Sequence, residues 1–439
     1  MAQFRKDTHQ YLADGKTIYE VVMLADQYGN LVGPANPSGM SVDAFGRARG
    51  SQPFTLYDSF HRFMDNGKEN TANTVGGTCV FNSNTSSMDF TVDTTANHYV
   101  YRESKKVFAY QPGKSLQILK TFVMNPHKTN LRQRVGYFST ENGFYLERSD
   151  LTASKVCFVK RSKVTGSVVN TPVDQADWNV DKLDGTGPSL LTLDLDNPQI
   201  LFIDIEWLGV GAVRMGFVIN GQFIHCHTFY HSNLSSSPKG AYMQTACLPV
   251  RSELENTGTT SGSSTFKQIC CTVISEGGYE LTGKPIMIGQ DPQGSNTIAM
   301  ATPGTYYPIV SIRLNPAYID GIVVPKEISF LPKNSAEYRI KITKGATITG
   351  AVWTNVASDS IVQYNSNASA TISGGTSMYS AYVTSTVQAA GTISLSGDYF
   401  KYQLERNSFT STPTTFTLEA TCGTSTSNAA ATISWEELT

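Results

Sequence analysis

The sequence predicts an all-β protein: a jelly-roll β-sandwich followed by a second, smaller β-sandwich, with an N-terminal arm. The clearest sign is segment 200–231, which has the pattern of three consecutive strands with Asn220-Gly221 between the second and third. Both central residues of a type I′ turn need positive φ, so Asn-Gly between apolar runs is a strong hairpin signal. The 36 glycines, 21 tyrosines and 21 phenylalanines suit many short strands joined by tight turns. We expect the 200–231 meander at the centre of an antiparallel sheet.

A chain of 439 residues is long for a single hydrophobic core, so we expect several parts. Residues 1–50 form the predicted docking arm, 51–285 the jelly-roll-like sandwich, and 286–439 the smaller, Ser/Thr-rich sandwich. In the arm, 17–24 is predicted as a strand, 26–30 as a turn, and 33–39 is rich in Pro and Gly. The arm strand either needs another chain to complete it or packs back on its own domain, and the sequence leaves both open.

Alternating polar and apolar residues, and runs of β-branched and aromatic residues, predict the other strands. In the first sandwich they lie at 78–81, 88–92, 98–101, 108–110, 116–124, 135–138, 143–147, 156–161, 200–208, 213–219, 223–230, 246–254 and 266–275, with 53–64 open between strand and short helix. In the second they lie at 309–314, 321–324, 328–331, 338–342, 351–353, 379–383, 392–395, 415–420 and 432–435. The nearly continuous apolar runs 116–124 and 266–274 are typical of central strands.

Charge and composition argue against several functional classes. Charged residues make up 16% of the chain and the net charge is -2, whereas about 25% charged residues is usual. This argues against disorder and against partners such as nucleic acid or an anionic membrane. No run approaches the roughly 18 apolar residues of a membrane span. The N-terminus lacks the apolar segment of a secretory signal, so we expect synthesis and assembly in the cytoplasm.

The seven cysteines are odd in number, contain no Cys-x-x-Cys pair and mostly lie in strand-like runs. We therefore expect buried free thiols rather than a disulfide or metal framework.

The segment HCHTFYH contains residue types that bind metals. His225 and His227 would share one face of a strand, with Cys226 on the other face and His231 near the strand end. Paired imidazoles can bind zinc, nickel or iron. The alternative is a sheet face on which the histidines make ordinary hydrogen bonds, and we expect that alternative.

Asp177, Asp181 and Asp184 lie just before Gly185, and their composition resembles a calcium loop. Their spacing does not match the EF-hand pattern, and Asx-turns in a solvated loop explain them equally well. We expect no bound metal at either cluster and no cofactor-binding residue.

Asp204 and Glu206 share a face of the predicted strand, next to Trp207. A glycosidase needs such a pair of carboxylates, and residues i and i+2 of a strand lie about 6.5–7 Å apart, which does not exclude catalysis. The same residues suit an ordinary sheet face, with Arg214 of the next strand as their partner. We expect the latter, and therefore no catalytic residue.

Other motifs are weaker. The sequence has no Gly-x-Ser-x-Gly elbow and no Walker loop, and Gly209-x-Gly211 lacks the rest of a dinucleotide-binding motif. The small basic cluster of Lys128, Arg132 and Arg134 is predicted to lie in a solvated turn.

Several long segments resemble virion structural proteins of tailed bacteriophages, especially phages of cyanobacteria and other aquatic bacteria. The segments are QRVGYFSTENGFYLE (133–147), ADWNVDKLDGTGPS (176–189), DIEWLGVGAVRMGFVINGQFIHCH (204–227), PIVSIRLNPAYIDGIVVPKEISFL (308–331) and GAVWTNVASDSIVQYN (350–365). The resemblance covers roughly residues 105–365. It implies a part of the virion that is assembled in the host cytoplasm, with no cofactor and no catalytic residue.

We interpret the chain as a non-enzymatic virion component: a fibre, a neck or tail appendage, or a capsid decoration, docked through its arm to other virion proteins. A homo-oligomer is expected, with a trimer among the options. The alternative is a carbohydrate-binding module for host surface glycans, suggested by the aromatic residues Tyr379, Tyr382, Tyr399 and Tyr402. A further alternative is a glycan-degrading enzyme that uses Asp204 and Glu206.

Overall fold

The computed structural model describes residues 52–234, 239–290, 297–367, 369–384, 391–395, 400–424 and 427–438, and the backbone of four short strands in the arm. The predicted all-β fold is confirmed. In the described residues, the helical segments are two three-residue 3-10 turns, Gln175–Asp177 and Pro316–Tyr318, and neither could span a membrane. The chain divides into two compact units, Met1–Gln52 and Pro53–Thr439. The second unit contains both sandwiches, so the predicted domain boundaries stay predictions.

The first unit contains two small antiparallel ladders. In one, β1 (His9–Tyr11) pairs with β2 (Ile18–Glu20), and in the other β3 (Leu24–Ala25) pairs with β4 (Leu31–Val32). The predicted turn at 26–30 and the Pro/Gly-rich segment 33–39 lie outside the described residues.

The larger sandwich consists of an eight-stranded and a seven-stranded antiparallel sheet. Its strands are β5 (Pro53–Phe60), β6 (Glu69–Asn73), β7 (Gly77–Asn82), β8 (Ser87–Val92), β9 (Tyr99–Ser104), β10 (Ser115–Val123), β11 (Leu131–Phe138), β12 (Gly143–Arg148), β13 (Val156–Ser162), β14 (Val169–Asp174), β15 (Gln199–Ile205), β16 (Val213–Ile219), β17 (Gln222–Phe229), β18 (Val250–Asn256) and β19 (Ser264–Glu276). The eight-stranded sheet has the order β17-β16-β15-β10-β19-β8-β7, with β5 also beside β19. The seven-stranded sheet has the order β14-β13-β12-β11-β18-β9-β6.

Long-range pairing, not the meander, forms the centre of the eight-stranded sheet. The two apolar runs predicted as central strands are β10 and β19, and they are direct neighbours. The meander β15-β16-β17 extends the sheet from β10 and ends at an edge, so its predicted central position is wrong. The two hairpins of the meander add β16 and then β17 beyond β15, on the side away from β10, so β17 has a neighbouring strand on one side only. The hairpin itself is confirmed, since Asn220 and Gly221 have φ of 53° and 78°.

The main core lies between these two sheets. On β15 the alternate residues Leu201, Ile203 and Ile205 are fully buried in it. Because successive side chains of a strand point to opposite faces, Asp204 is directed to the outward face of the eight-stranded sheet.

The smaller sandwich has a five-stranded and a six-stranded sheet around a core of its own. Its strands are β20 (Lys284–Gly289), β21 (Ile298–Met300), β22 (Tyr307–Leu314), β23 (Ile322–Pro332), β24 (Glu337–Lys344), β25 (Thr347–Thr349), β26 (Thr354–Asn355), β27 (Val362–Asn365), β28 (Thr371–Ser373), β29 (Thr376–Thr384), β30 (Gly391–Ser394), β31 (Arg406–Asn407), β32 (Thr412–Pro413), β33 (Phe416–Cys422) and β34 (Ser427–Leu438). The sheet orders are β20-β34-β23-β30, with β21 beside β34, and β26-β27-β22-β33-β24-β29. The predicted strands 321–324 and 328–331 form one continuous strand, β23, with an irregularity after Pro325.

Arg406 connects the smaller sandwich to the larger one through buried hydrogen bonds. Its side chain is 2% exposed and donates to Glu103 Oε1 at 2.7 Å, to the carbonyl of Ser104, and to Asp320 Oδ1 at 2.9 Å. Its backbone N–H donates to the carbonyl of Lys105 at 2.9 Å. A guanidinium placed in this way links the two sandwiches through several hydrogen bonds at once.

A continuous ladder of buried ion pairs starts at that contact and crosses the outward face of the seven-stranded sheet. We call it the ion-pair ladder; it runs Arg406–Glu103–Arg251–Glu253–Arg134–Glu147. Consecutive strands place opposite charges directly across from each other, as in the pairs Arg134–Glu147, Arg134–Glu253 and Arg251–Glu103. The predicted solvated turn is therefore wrong for Arg132 and Arg134, which lie on β11; the partners of Arg134 stand opposite it on the neighbouring strands β12 and β18.

All seven cysteines are free; four are buried and three are partly buried.

Candidate functional site

The outward face of the eight-stranded sheet carries a cavity of about 660 Å³, which we call the sheet-face cavity. Residues of five strands and the adjoining loops line it, among them Tyr110, Lys114, Ser115, Asp204, Glu206, Leu208, Arg214, His225, Thr228, Tyr230 and Glu276. Polar side chains from separate strands therefore converge on one surface.

Asp204 and Arg214 form the floor of the cavity. They are directly opposite each other on β15 and β16, and Arg214 Nη2 donates to Asp204 Oδ2. Burial raises the pKa of Asp204 above its ordinary value; Arg214 counteracts this, and the carboxylates of Glu276 and Glu206 add to it. The single arginine therefore does not fully offset the effects of burial and of the two neighbouring carboxylates on the pKa of Asp204.

The carboxylates of Glu206 and Glu276 are more open. Glu206 is exposed, and among the described residues its carboxylate has no hydrogen-bond or ion-pair partner. Glu276 accepts one hydrogen bond, from Ser115 Oγ at 2.8 Å. Both carboxylates can therefore accept hydrogen bonds from a ligand.

The loop that carries Glu206 is held firmly. The N–H of Leu208 donates to Tyr110 Oη at 3.1 Å, and the Tyr110 ring packs edge-on against Trp207 with centroids 5.7 Å apart. Leu208 has a φ of 38°, a left-handed conformation that is unusual for a bulky residue. Strained residues of this kind concentrate at functional sites.

Aromatic and hydroxyl groups complete the rim. Tyr230 is 61% exposed beside the polar floor. His225 Nε2 lies 2.8 Å from Thr228 Oγ1 and 3.2 Å from the carbonyl oxygen of His227. Burial lowers the pKa of His225, so it is neutral at pH 7. The cavity thus offers an open ring face next to hydrogen-bond donors and acceptors.

The prediction that His225 and His227 share a face is wrong. A β-bulge places His225 opposite Gly216, whereas His227 stands opposite the core residue Met215. The extra residue, Cys226, is buried in the core. In the described part of the chain, no group of three or more His, Cys, Asp or Glu side chains is placed to hold a metal ion.

The aspartate segment forms the turns that the sequence suggested as an alternative. Asp181 Oδ1 accepts from the N–H of Leu183 at 2.9 Å, and its Oδ2 accepts from the N–H of Ser189 at 2.8 Å. Asp184 Oδ1 accepts from the N–H of Thr186 at 2.9 Å, and Asp177 lies in a 3-10 turn.

Of the four tyrosines suggested as a sugar platform, Tyr402 is not available to a ligand. Tyr402 is buried and packs against Phe416. Tyr379 and Tyr382 are exposed on β29, and Tyr399 lies outside the described residues.

Sequence reasoning found Asp204, Glu206 and Arg214 and missed most of the other cavity residues. Lys114, Ser115 and Glu276 reach the site through the pairing of β10 with β19, which lie far apart in the chain. A single sequence carries no local signal for such a register.

Neither a protein-family model nor a curated protein matches the chain. Solved structures with a similar fold include the carbohydrate recognition domain of Emp47p, with TM-score 0.31, 9% identity, and coverage of 54% of this chain and 99% of that one. The CBM2 module of the evolved Dit protein of Lactobacillus casei phage J-1 has TM-score 0.33 and 9% identity, and covers 52% and 98%. A beta-1,3-glucanase from Mycobacterium marinum has TM-score 0.33 and 9% identity, and covers 50% and 98%.

Proposed function

We propose that the protein is a non-enzymatic glycan-binding protein whose binding site is the sheet-face cavity. The observation that carries the proposal is the convergence of three carboxylates, an arginine and a hydroxyl group beside the exposed ring of Tyr230. A sugar ring presents hydroxyl groups around its edge and apolar C–H groups on its faces. Such a ligand needs fixed polar partners and an aromatic surface, and this cavity supplies both.

The polar groups have distinct roles in this proposal. The Asp204–Arg214 pair is fixed across two strands and forms a rigid floor. Glu206 and Glu276 accept hydrogen bonds from sugar hydroxyls, and Arg214, which is more than half exposed, donates to ring or hydroxyl oxygens. Fixed groups lose little entropy on binding, which favours affinity.

The test is a glycan array of bacterial surface polysaccharides, followed by calorimetric titration with the best ligand. Glu206→Gln should weaken binding by roughly tenfold, because a charge-assisted hydrogen bond is worth about 1.5–3 kcal/mol. Tyr230→Ala should weaken it by a similar factor. The matched controls are Glu327→Gln and Tyr318→Ala, which alter exposed residues of the smaller sandwich. Equal affinity of site and control variants would refute the site.

Hydrolysis of a glycan is the second candidate, favoured by the raised pKa of Asp204 beside a free carboxylate. A glycosidase of this kind would release reducing ends from a bound polysaccharide, and Asp204→Asn or Glu206→Gln would abolish the release. Binding without any release supports the non-enzymatic function.

We further propose that the chain is a component of a tailed-phage virion, in which glycan binding serves recognition of the host surface. The support is the resemblance of segments between residues 105 and 365 to virion structural proteins. Antibody to residues 345–439 should label intact particles in immunogold electron microscopy, and its position would distinguish capsid decoration from a neck or tail appendage. Deletion of residues 1–49 should abolish incorporation into particles. Normal incorporation of the truncated chain would refute docking through the arm.

A further inference from the structure

Strand β29 of the smaller sandwich lies at a sheet edge, and one of its sides has no strand partner among the described residues. Residues Thr376–Thr384 pair with β24 on one side. No described strand pairs with its other side, where it ends the six-stranded sheet. An edge of this kind is a template for pairing with another strand, since its outward N–H and C=O groups have no partner in the sheet.

The sequence around β29 lacks the usual protection of edges. Residues 360–397 contain no Asp, Glu, Lys or Arg, and β29 itself contains no proline. Two other edge strands carry such protection: β14 contains Pro172 and Asp174, and β20 begins with Lys284 and Pro285. Prolines and charges at such positions discourage pairing between molecules.

The geometry of β29 suits pairing over most of its length. A register irregularity near Met378 interrupts the ladder with β24, but residues 379–384 pair with β24 without interruption. Six residues extend about 20 Å, the length of an ordinary strand. Tyr382 is 77% exposed and Tyr379 is 36% exposed, so large uncharged side chains are available to a new neighbour.

We propose that β29 pairs antiparallel with β29 of a second copy of this chain, so that two six-stranded sheets join into one continuous sheet. The lack of charge favours a second copy over a foreign strand. Two identical charged edges would repel each other, whereas β29 itself carries no charged residue and is compatible with a second copy of itself. The one charge noted beside it, the guanidinium of Arg339 on β24, donates to Ser380 Oγ and lies over the Tyr382 ring. Antiparallel pairing of identical strands is two-fold symmetric and closes as a dimer. A dimer would also present two sheet-face cavities, although the pairing does not depend on their function.

Two adjacent proline variants of the full chain test this proposal. Successive residues of a strand direct their N–H groups to opposite sides. Of Ser380→Pro and Ala381→Pro, one therefore removes a bond to β24 and the other removes a donor from the free edge. Thermal unfolding at a protein concentration where the wild type is monomeric identifies the second as the variant that keeps the wild-type melting temperature, and the destabilised variant is its matched control.

Sedimentation velocity over a range of concentrations, under reducing conditions, then measures association. The wild type should form dimers, and the edge-blocking proline should raise the dimer dissociation constant at least tenfold. A wild type that is monomeric at all concentrations overturns the proposal, and so does an edge-blocking variant that associates as strongly as the wild type. If both prolines unfold the chain, hydrogen exchange of the wild type decides: amides of 379–384 should lose protection on dilution, and protection independent of concentration overturns the proposal.

Discussion

Arg406→Ala should be among the most destabilising single substitutions in this protein. The change removes the guanidinium that links Glu103, the Ser104 carbonyl and Asp320. Removing one partner of a buried ion pair costs about 3–5 kcal/mol. Glu103 keeps its bond to Arg251, which favours the lower part of that range. The Ser104 carbonyl loses a donor at a cost of about 1 kcal/mol or more, and Asp320, half exposed, adds little.

The expected loss is therefore about 4 kcal/mol of the free energy of unfolding. Urea unfolding followed by circular dichroism measures it, with Lys284→Ala as the control, since the pair of Lys284 with Asp359 lies on the surface and should be worth less than about 1 kcal/mol. If Arg406→Ala and the control unfold at the same urea concentration, the ladder does not hold the sandwiches together.

Two further predictions concern the core. Burial lowers the pKa of His231 to about 4. Below about pH 6.5, His231 therefore takes up a proton in the unfolded chain but stays neutral in the folded chain, so the free energy of unfolding should fall as the pH drops from 6.5 toward 4. Urea titrations at several pH values should show a weaker pH dependence for His231→Asn. Gly143 has a φ of 135°, and an added Cβ would lie 2.4 Å from Phe138 Cα, so Gly143→Ala should lower the melting temperature much more than Gly166→Ala, whose Cβ would meet nothing within 4 Å.

The sequence was informative where local patterns decide the structure. The Asn220-Gly221 hairpin and the apolar runs of β10 and β19 were predicted correctly because turn chemistry and hydrophobicity are local properties. Strands β6 and β14 were missed, since ENTAN and VNTPVD are polar and the second contains a proline. Their pairing is stabilised by neighbours, which override weak propensity.

In the candidate site, too, the features set by local sequence patterns were predicted and those set by long-range pairing or a bulge were not. The pairing of Asp204 with Arg214 followed from alternation along two adjacent strands. The bulge that separates His225 from His227 could not be predicted, because a single extra residue reverses the face of every later side chain. Glu276 lies at the cavity because β19 pairs with β10, a strand far away in the sequence, and a single sequence carries no signal for that pairing.

The contrast between the two outward faces of the larger sandwich argues that Glu206 has a functional role. On the seven-stranded sheet, the carboxylates of Glu103, Glu147 and Glu253 each bond to an arginine, so they contribute to the fold. Glu206 follows Ile205, which is the last residue of β15 that pairs with a residue of the neighbouring strand β16. No strand residue therefore stands opposite Glu206. Its charge also opposes ionisation of Asp204, which gives the fold no benefit.

Glu206→Gln should therefore leave the free energy of unfolding unchanged or slightly higher while it weakens glycan binding. Glu253→Gln, by contrast, should lower the free energy of unfolding, because it leaves Arg251 and Arg134 without their shared carboxylate. Urea unfolding and calorimetric titration of the same two variants separate these effects. A Glu206→Gln variant that loses stability as Glu253→Gln does would mean that this carboxylate serves the fold rather than a ligand.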